Sequence, residues 1–202
     1  GKLVVQGATA QEFVEFTLEP KIVGASLPAA SAPDRIAFDG PHAGIDESGK
    51  GDFFGPLAVA CVYVESESVA DGLERLGVKD SKLIKSDAKI RELAPKIAAA
   101  VHGRFGVVLV GPEAYNRLYR SIGNLNRLLA WGHARALENM LEKAPDCPRA
   151  ISDQFANKRL VLDALMKNGR NIRLEQFTKG ERDIAVAAAS IPARGEFVRR
   201  LS

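Results

Sequence analysis

The apolar positions of this chain fall into short runs and longer stripes that alternate along most of its length. His42 to Glu47 predicts a first strand and Leu57 to Val64 a second, with a glycine-rich turn between them. Phe105 to Val110 predicts a third strand, closed by Gly111-Pro112, and residues 150–155 and 172–177 predict a fourth and fifth. Helical stripes lie between and after them. Ala70 to Leu76 reads as a short helix or turn. Ser86 to Val101 carries Ile90, Leu93, Ile97 and Val101 on one face, with Pro95 expected to kink or split it. The longest pattern, about Asn124 to Lys143, offers Leu125, Leu128, Leu129, Ala136, Leu137, Met140 and Leu141 as a face wide enough to cover a sheet. Lys158 to Lys167 predicts another helix and Asp183 to Leu201 the last. In that last helix the stretch 184–189 is small and apolar, suited to lying close against a sheet. Five strands with helices between and after them give an α/β layered domain.

The first 41 residues read differently. Residues 2–6 predict a strand and residues 10–18 an amphipathic helix stopped by Pro20, too little to bury a core of their own. Residues 24–41 are rich in Ala, Ser, Pro and Gly without a period and read as a linker. The organisation expected is therefore 1–23 as a remnant of a small domain, 24–41 as linker and 42–202 as the main domain.

The segment from Gly44 to Pro56 stands apart chemically. Asp46 and Glu47 are adjacent carboxylates, a placement that burial disfavours without a cation to share, and Gly49 and Gly51 on either side of Lys50 leave backbone N–H groups open to a phosphate. Divalent metal and phosphate chemistry is one reading; a solvated surface turn is the other. A P-loop is excluded, because Lys50 is followed by Gly51 and a strand rather than by Ser or Thr and a helix.

Composition narrows the field modestly. At 202 residues and 46% hydrophobic the chain can bury one substantial core. A net charge of +3 excludes a histone-like polycation, so a nucleic-acid partner would have to be met by local basic clustering. Cys61 and Cys147 have no metal-ligand neighbours and read as thiols in a reducing compartment. No apolar run is long enough to cross a membrane and no signal-peptide pattern opens the chain, so a cytoplasmic protein is the expectation.

Further polar positions invite two readings each. Ser81 and Lys82, in Asp80-Ser81-Lys82, suit either a phosphate contact or the start of a helix. Asn124 and Asn126 open the long helix, where asparagine is usually a cap, and His133 lies seven residues beyond Asn126. Asp153 ends an apolar strand, where ligand sites collect in α/β sheets. Glu181 and Asp183 follow Lys179-Gly180 before the final helix, where the macrodipole favours acids without any chemistry.

Taken in order, these motifs resemble the type 2 ribonucleases H, the family of ribonucleases HII and HIII. Asp46-Glu47-Ser48-Gly49-Lys50-Gly51 is similar to the opening Asp-Glu-x-Gly-x-Gly of that family. Asp80-Ser81-Lys82, Asp153-Gln154-Phe155 and Val186-Ala187-Ala188-Ala189-Ser190 follow at matching points. Asp52-Phe53-Phe54-Gly55-Pro56 and Glu181 resemble the HIII branch, whereas Gly49-Lys50-Gly51 is closer to the Gly-Arg-Gly of the HII branch, where it reads the RNA–DNA junction. Glu181 is the better match to the fourth acid, although the spacing to Val186 is a residue shorter than in many relatives and Asp183 is the weaker candidate. Pro192 departs from the family's helix motif and is expected to cost about 3 kcal/mol and to kink the helix, with Arg194 beyond it. Both chain ends look shortened relative to full-length ribonuclease HIII, with residues 2–19 similar to the end of a TATA-binding-like domain.

The resemblance implies a ribonuclease H-like five-stranded mixed sheet flanked by helices. Asp46, Glu47, Asp153 and Glu181 are its implied catalytic residues and ligands for Mg²⁺ or Mn²⁺. Gly49, Lys50, Gly51, Ser81, Lys82, Asn124, Asn126 and Lys179 are implied to contact the substrate. The implied reaction is hydrolysis of the RNA strand of an RNA/DNA hybrid duplex, leaving 5′-phosphate and 3′-hydroxyl ends. No membrane and no obligate protein partner is implied. Cleavage at single ribonucleotides in DNA, and a non-catalytic hybrid-binding fragment, are the alternatives.

Overall fold

The computed structural model describes residues 36–52, 54–155 and 158–201. The expected strand and helix of residues 2–19, and most of the linker, lie outside the described residues. The last part of that linker is tied to the domain. The Ile36 N–H donates to the Arg182 carbonyl at 3.1 Å, Phe38 stacks on His42 with ring centroids 5.5 Å apart, and Arg149 pairs with Asp39.

Five strands, β1 (His42–Ser48), β2 (Leu57–Val64), β3 (Phe105–Val110), β4 (Arg149–Asp153) and β5 (Arg173–Phe177), form one mixed sheet in the order β3-β2-β1-β4-β5. The β1–β2 pair is antiparallel across the short loop 49–56, and β2–β3 is antiparallel across the long helical connection 65–104; β1–β4 and β4–β5 are parallel and need helical crossovers. The helices are α1 (Glu67–Arg75), α2 (Asp87–Ala100), α3 (Pro112–Ile122), α4 (Leu125–Leu141), α5 (Lys158–Ala164) and α6 (Ile184–Leu201).

The apolar run of β2 is explained by burial on both faces. Leu57, Val59, Cys61 and Tyr63 join the core under α4, while Ala60, Val62 and Val64 join a second core with α2 and α6. Helix α6 lies against the centre of the sheet, and the small residues expected to permit this do so. A side chain at Gly44 of β1 would place its Cβ 2.0 Å from the Ala185 carbonyl carbon, so only glycine admits the helix at that distance.

One expectation changes, and two helices continue through their prolines. Helix α3 was not anticipated: Pro112, read as closing β3, instead occupies the first turn of a helix, where its missing N–H costs nothing. Helix α2 is not split by Pro95, and α6 runs on through Pro192 to Leu201. Burial of every residue from Ile184 to Ala193 supplies the packing that offsets the bond lost at Pro192. Arg194 keeps its place beyond it, donating to the carbonyls of Ser81 and Ile84 and pairing with Asp87. Among the described residues no helix is long and apolar enough to cross a membrane.

Candidate active site

Asp46 and Glu47 lie near the carboxyl end of β1 and Asp153 ends β4. Because β1 and β4 are parallel with Ile45 opposite Ser152, Asp46 and Asp153 are the next residues along two adjacent strands. The 3₁₀ turn Gly180–Arg182 then brings Glu181 to the same end. The Gly180 N–H donates to Asp153 Oδ1 at 3.0 Å, and a Cβ at Gly180 would stand 2.9 Å from the Asp153 Cα. That close approach requires glycine. Lys179 before it takes a left-handed conformation, with φ of 60°, and is exposed.

Lys82 reports how near these acids are to one another. Burial alone would lower the pKa of its ammonium, but the fields of Asp80, Asp46, Glu181 and Asp153 outweigh burial and raise it. Asp46, Asp153 and Glu181, together with Asp80, thus all act on one lysine. Among the described residues, no three His, Cys, Asp or Glu side chains are drawn tightly enough together to form a ready-made ion cage.

The adjacent acids are held in opposite states. Burial pushes the Asp46 carboxyl well above the usual carboxylate range, and the neighbouring charge of Glu47 adds to this; a hydrogen bond from the Glu47 N–H, 2.8 Å from Asp46 Oδ1, opposes it. Burial acts on Glu47 in the same direction, but it is overcome by the His133 hydrogen bond and by the charges of Lys50 and Lys82, so its pKa is lowered. His133 Nε2 lies 2.9 Å from Glu47 Oε2, and Lys50 Nζ lies 3.8 Å from Oε1. His133 is fully buried on α4, 4.6 Å from the Phe155 ring, so it is a partner of Glu47 rather than a group open to substrate. Adjacent acids pushed in opposite directions are a donor pair that a hard divalent cation suits, since the cation's charge favours ionisation of both.

The remaining candidates are spread around this centre. Gly49 and Gly51 both have positive φ, 85° and 77°, and bracket the exposed Lys50. Ser81 is buried: its N–H donates to Ser190 Oγ of α6 at 3.0 Å, and the turn it opens is capped by Asp80, not by Ser81. Asn124 caps α4 through Oδ1, which accepts from the Arg127 N–H at 3.1 Å, and Asn126 is exposed in the first turn.

Asp183 has other work. Its Oδ1 accepts from the N–H groups of Ala185 and Val186, at 2.9 and 3.1 Å, and its Oδ2 meets His42 Nε2 at 2.9 Å. Glu181 carries no such commitment to the helix start. The residues whose contacts sequence reasoning missed are His133 as the partner of Glu47, His42 as the partner of Asp183, and Arg194, which holds the carbonyls of Ser81 and Ile84 on either side of Lys82. Their contacts join positions 86 to 141 apart in the chain, and spacing gave no signal for them.

Comparison with known proteins fits this geometry. The chain is 46% identical over 198 residues to ribonuclease HIII of Protochlamydia amoebophila, an alignment covering 98% of this chain and 64% of that relative. It thus spans just under two thirds of the relative's length. Among solved structures, Bst-RNase HIII in complex with Mn²⁺ superposes with a TM-score of 0.72 at 31% identity, covering 96% of this chain and 65% of the other. The ribonuclease HII in a PCNA complex from Archaeoglobus fulgidus superposes with a TM-score of 0.62 at 33% identity, covering 79% and 73%. The mixed five-stranded sheet is the ribonuclease H-like fold that these structures share. Residues 43–202, almost the whole of the described domain, match the sequence profile described as Ribonuclease HII, and the chain belongs to that family.

Proposed function

We propose that this chain is the catalytic part of a metal-dependent endonuclease that hydrolyses the RNA strand of RNA/DNA hybrids, leaving 5′-phosphate and 3′-hydroxyl ends. The observation that carries the reading is that Asp46 and Asp153 follow paired positions on adjacent parallel strands, with Glu47 next to Asp46 and Glu181 in the turn whose Gly180 N–H donates to Asp153. Asp46, Glu47, Asp153 and Glu181 would hold the ion. When bound, Mg²⁺ or Mn²⁺ would supply Lewis-acid activation of water and of the scissile phosphate. Curated relatives named ribonuclease HIII, and a related structure in complex with Mn²⁺, support the same reading.

The chain's own groups divide the remaining tasks. Glu47, whose carboxyl His133 holds toward the ionised form, and Asp46, whose carboxyl burial holds toward the protonated form, would both ligate the cation, whose charge would favour ionisation of each. Lys82 offsets the charge of the cluster and orients a phosphate, and Lys50, Lys179 and the N–H groups around Gly49 and Gly51 hold the sugar–phosphate backbone. The 2′-hydroxyl distinguishes the RNA strand from DNA. Asn124 and Asn126 extend these contacts at the start of α4. The buried free thiols of Cys61 and Cys147 fit a cytoplasmic setting.

Asp153→Asn tests the assignment: it should remove metal-dependent cleavage, by about 10³-fold or more, while leaving hybrid binding and the fold intact. A variant cutting near the wild-type rate would overturn the site. A second reading, cleavage at single ribonucleotides in DNA, is favoured by one feature, the Gly49-Lys50-Gly51 loop with its open backbone. Comparing a long hybrid with a duplex carrying one ribonucleotide separates the two.

A further inference from the structure

The stretch from Ala114 to Leu137 contains four arginines, Arg117, Arg120, Arg127 and Arg135, and no aspartate or glutamate. On a chain of net charge +3 this is a marked local excess along the sequence, and folding forms no direct ion pair with it. Among the described residues none of these four guanidinium groups has a carboxylate partner, and all four are exposed. Several arginines elsewhere are paired: Arg104 with Glu65, Arg149 with Asp39, Arg173 with Glu175, Arg194 with Asp87 and Arg199 with Glu196.

Three of the four lie on a continuous surface that begins at the acid site. Helix α3 rests on the core through Ala114, Leu118 and Ile122 and buries no residue completely. Its other side forms one wall of a groove whose opposite wall is the glycine loop, with Gly51 and Gly55 facing Tyr115, Asn116 and Tyr119. The two tyrosine rings are parallel, with centroids 6.2 Å apart. Asn116 leads from this groove to a second, where Arg117, Arg120 and Ser121 stand with Glu113, and Ser121 leads to a third, where Arg127 and Trp131 of α4 stand with Asp163; neither acid is ion-paired to these arginines. The loop that carries Lys50 toward Glu47 thus opens, on its far side, onto a run of aromatic rings and unpaired arginines.

We propose that α3 and the first turn of α4 form a cationic track that holds backbone phosphates of the hybrid duplex to one side of the cut. The inference rests on the function proposed above. Arginines without acid partners pay no ion-pair loss on meeting phosphate, and the guanidinium fork matches two phosphate oxygens. Tyr115 and Tyr119 offer ring faces to sugars and hydroxyls to phosphates between the acid site and the arginines.

The test is the salt dependence of binding, measured by fluorescence anisotropy of a labelled 20-base-pair RNA/DNA hybrid without divalent ions. Each phosphate contact contributes about 0.9 to the slope of log affinity against log salt. Arg117→Ala/Arg120→Ala should therefore reduce the slope by about two and weaken binding about tenfold near physiological salt, with an unchanged melting temperature. Tyr119→Ala should weaken binding severalfold and leave the slope unchanged. Arg199→Ala, which removes a paired arginine, should keep the wild-type slope. A wild-type slope in the double variant overturns the track and leaves the proposed function standing. If the wild-type chain fails to bind the hybrid at low salt, both fall.

Discussion

His133 Nε2 and Glu47 Oε2, 86 residues apart in sequence, lie 2.9 Å apart in the folded chain. The other ring nitrogen, Nδ1, is buried and has no hydrogen-bond partner among the described residues, so Nε2 is the nitrogen that carries the proton and donates. One carboxylate oxygen is thereby fixed, and the other faces Lys50.

Removing that donor should loosen the ion site. Partners that orient a ligating side chain are worth about 10- to 100-fold in metal affinity, so His133→Leu should weaken Mn²⁺ binding in that range by titration calorimetry. His133→Gln, whose amide can still donate, should recover part of the loss. Equal affinity in all three proteins would contradict the orienting role.

Asp46 is predicted to stabilise function at the expense of the fold. Its folded pKa is raised, so above the ordinary carboxylate range the buried charge weighs against folding. Asp46→Asn should melt a few degrees above wild type in EDTA at pH 8, while losing metal-dependent cleavage. A lower melting temperature would mean that the acid is stabilising without an ion.

His42 should make stability fall as pH rises. Burial lowers its pKa, but Asp183 at Nε2 and the Gly40 carbonyl, 2.6 Å from Nδ1, both favour the doubly protonated ring; Arg149 opposes them, and the net shift is upward. A raised folded pKa contributes stability that is complete below the unfolded value near 6.5 and is lost as pH passes through the folded value. Denaturant unfolding between pH 6 and 9 should show this decline, and Asp183→Asn should flatten it while lowering stability throughout. A wild-type profile with no decline above pH 6.5 would sink the assignment.

Gly180→Ala should cost more activity than stability. The added Cβ meets the Asp153 backbone at 2.9 and 3.0 Å, so the turn must shift and carry Glu181 with it. A displacement on the order of 1 Å can cost about 100-fold in rate, measurable as kcat on a hybrid, while within the sheet the clash is confined to the last residue of β4. Unchanged kcat would show that the position of Glu181 does not matter to the reaction.

The strands were readable because each is a short apolar run bounded by polar turns, and β2, apolar throughout, was the plainest. Helix α3 was missed for an identifiable reason. Its apolar positions, Ala114, Leu118 and Ile122, form a single narrow stripe that only half buries, and Pro112 before them reads equally well as a strand ending. Strand order was not legible from spacing; the family resemblance implied a five-stranded mixed sheet, which is the sheet observed, and the order β3-β2-β1-β4-β5 is read from the structure alone.

The candidate site divides in the same way. Asp46-Glu47 was visible because adjacent acids beside glycines are chemically unusual, and Asp153 because it ends an apolar strand. The choice between Glu181 and Asp183 turned on three-dimensional facts, namely which carboxylate the start of α6 and His42 consume. The same limit hid His133, since a lone helical histidine carries no sign in sequence of what it touches.

The measurement that bears most directly on the acid site is a Mg²⁺ and Mn²⁺ titration of cleavage on a labelled RNA/DNA hybrid. A duplex with a single ribonucleotide and plain double-stranded DNA would be run beside it. Metal-dependent cutting of the hybrid's RNA strand, with plain DNA untouched, is the result predicted. Absence of product from the hybrid at every concentration of both metals would contradict it.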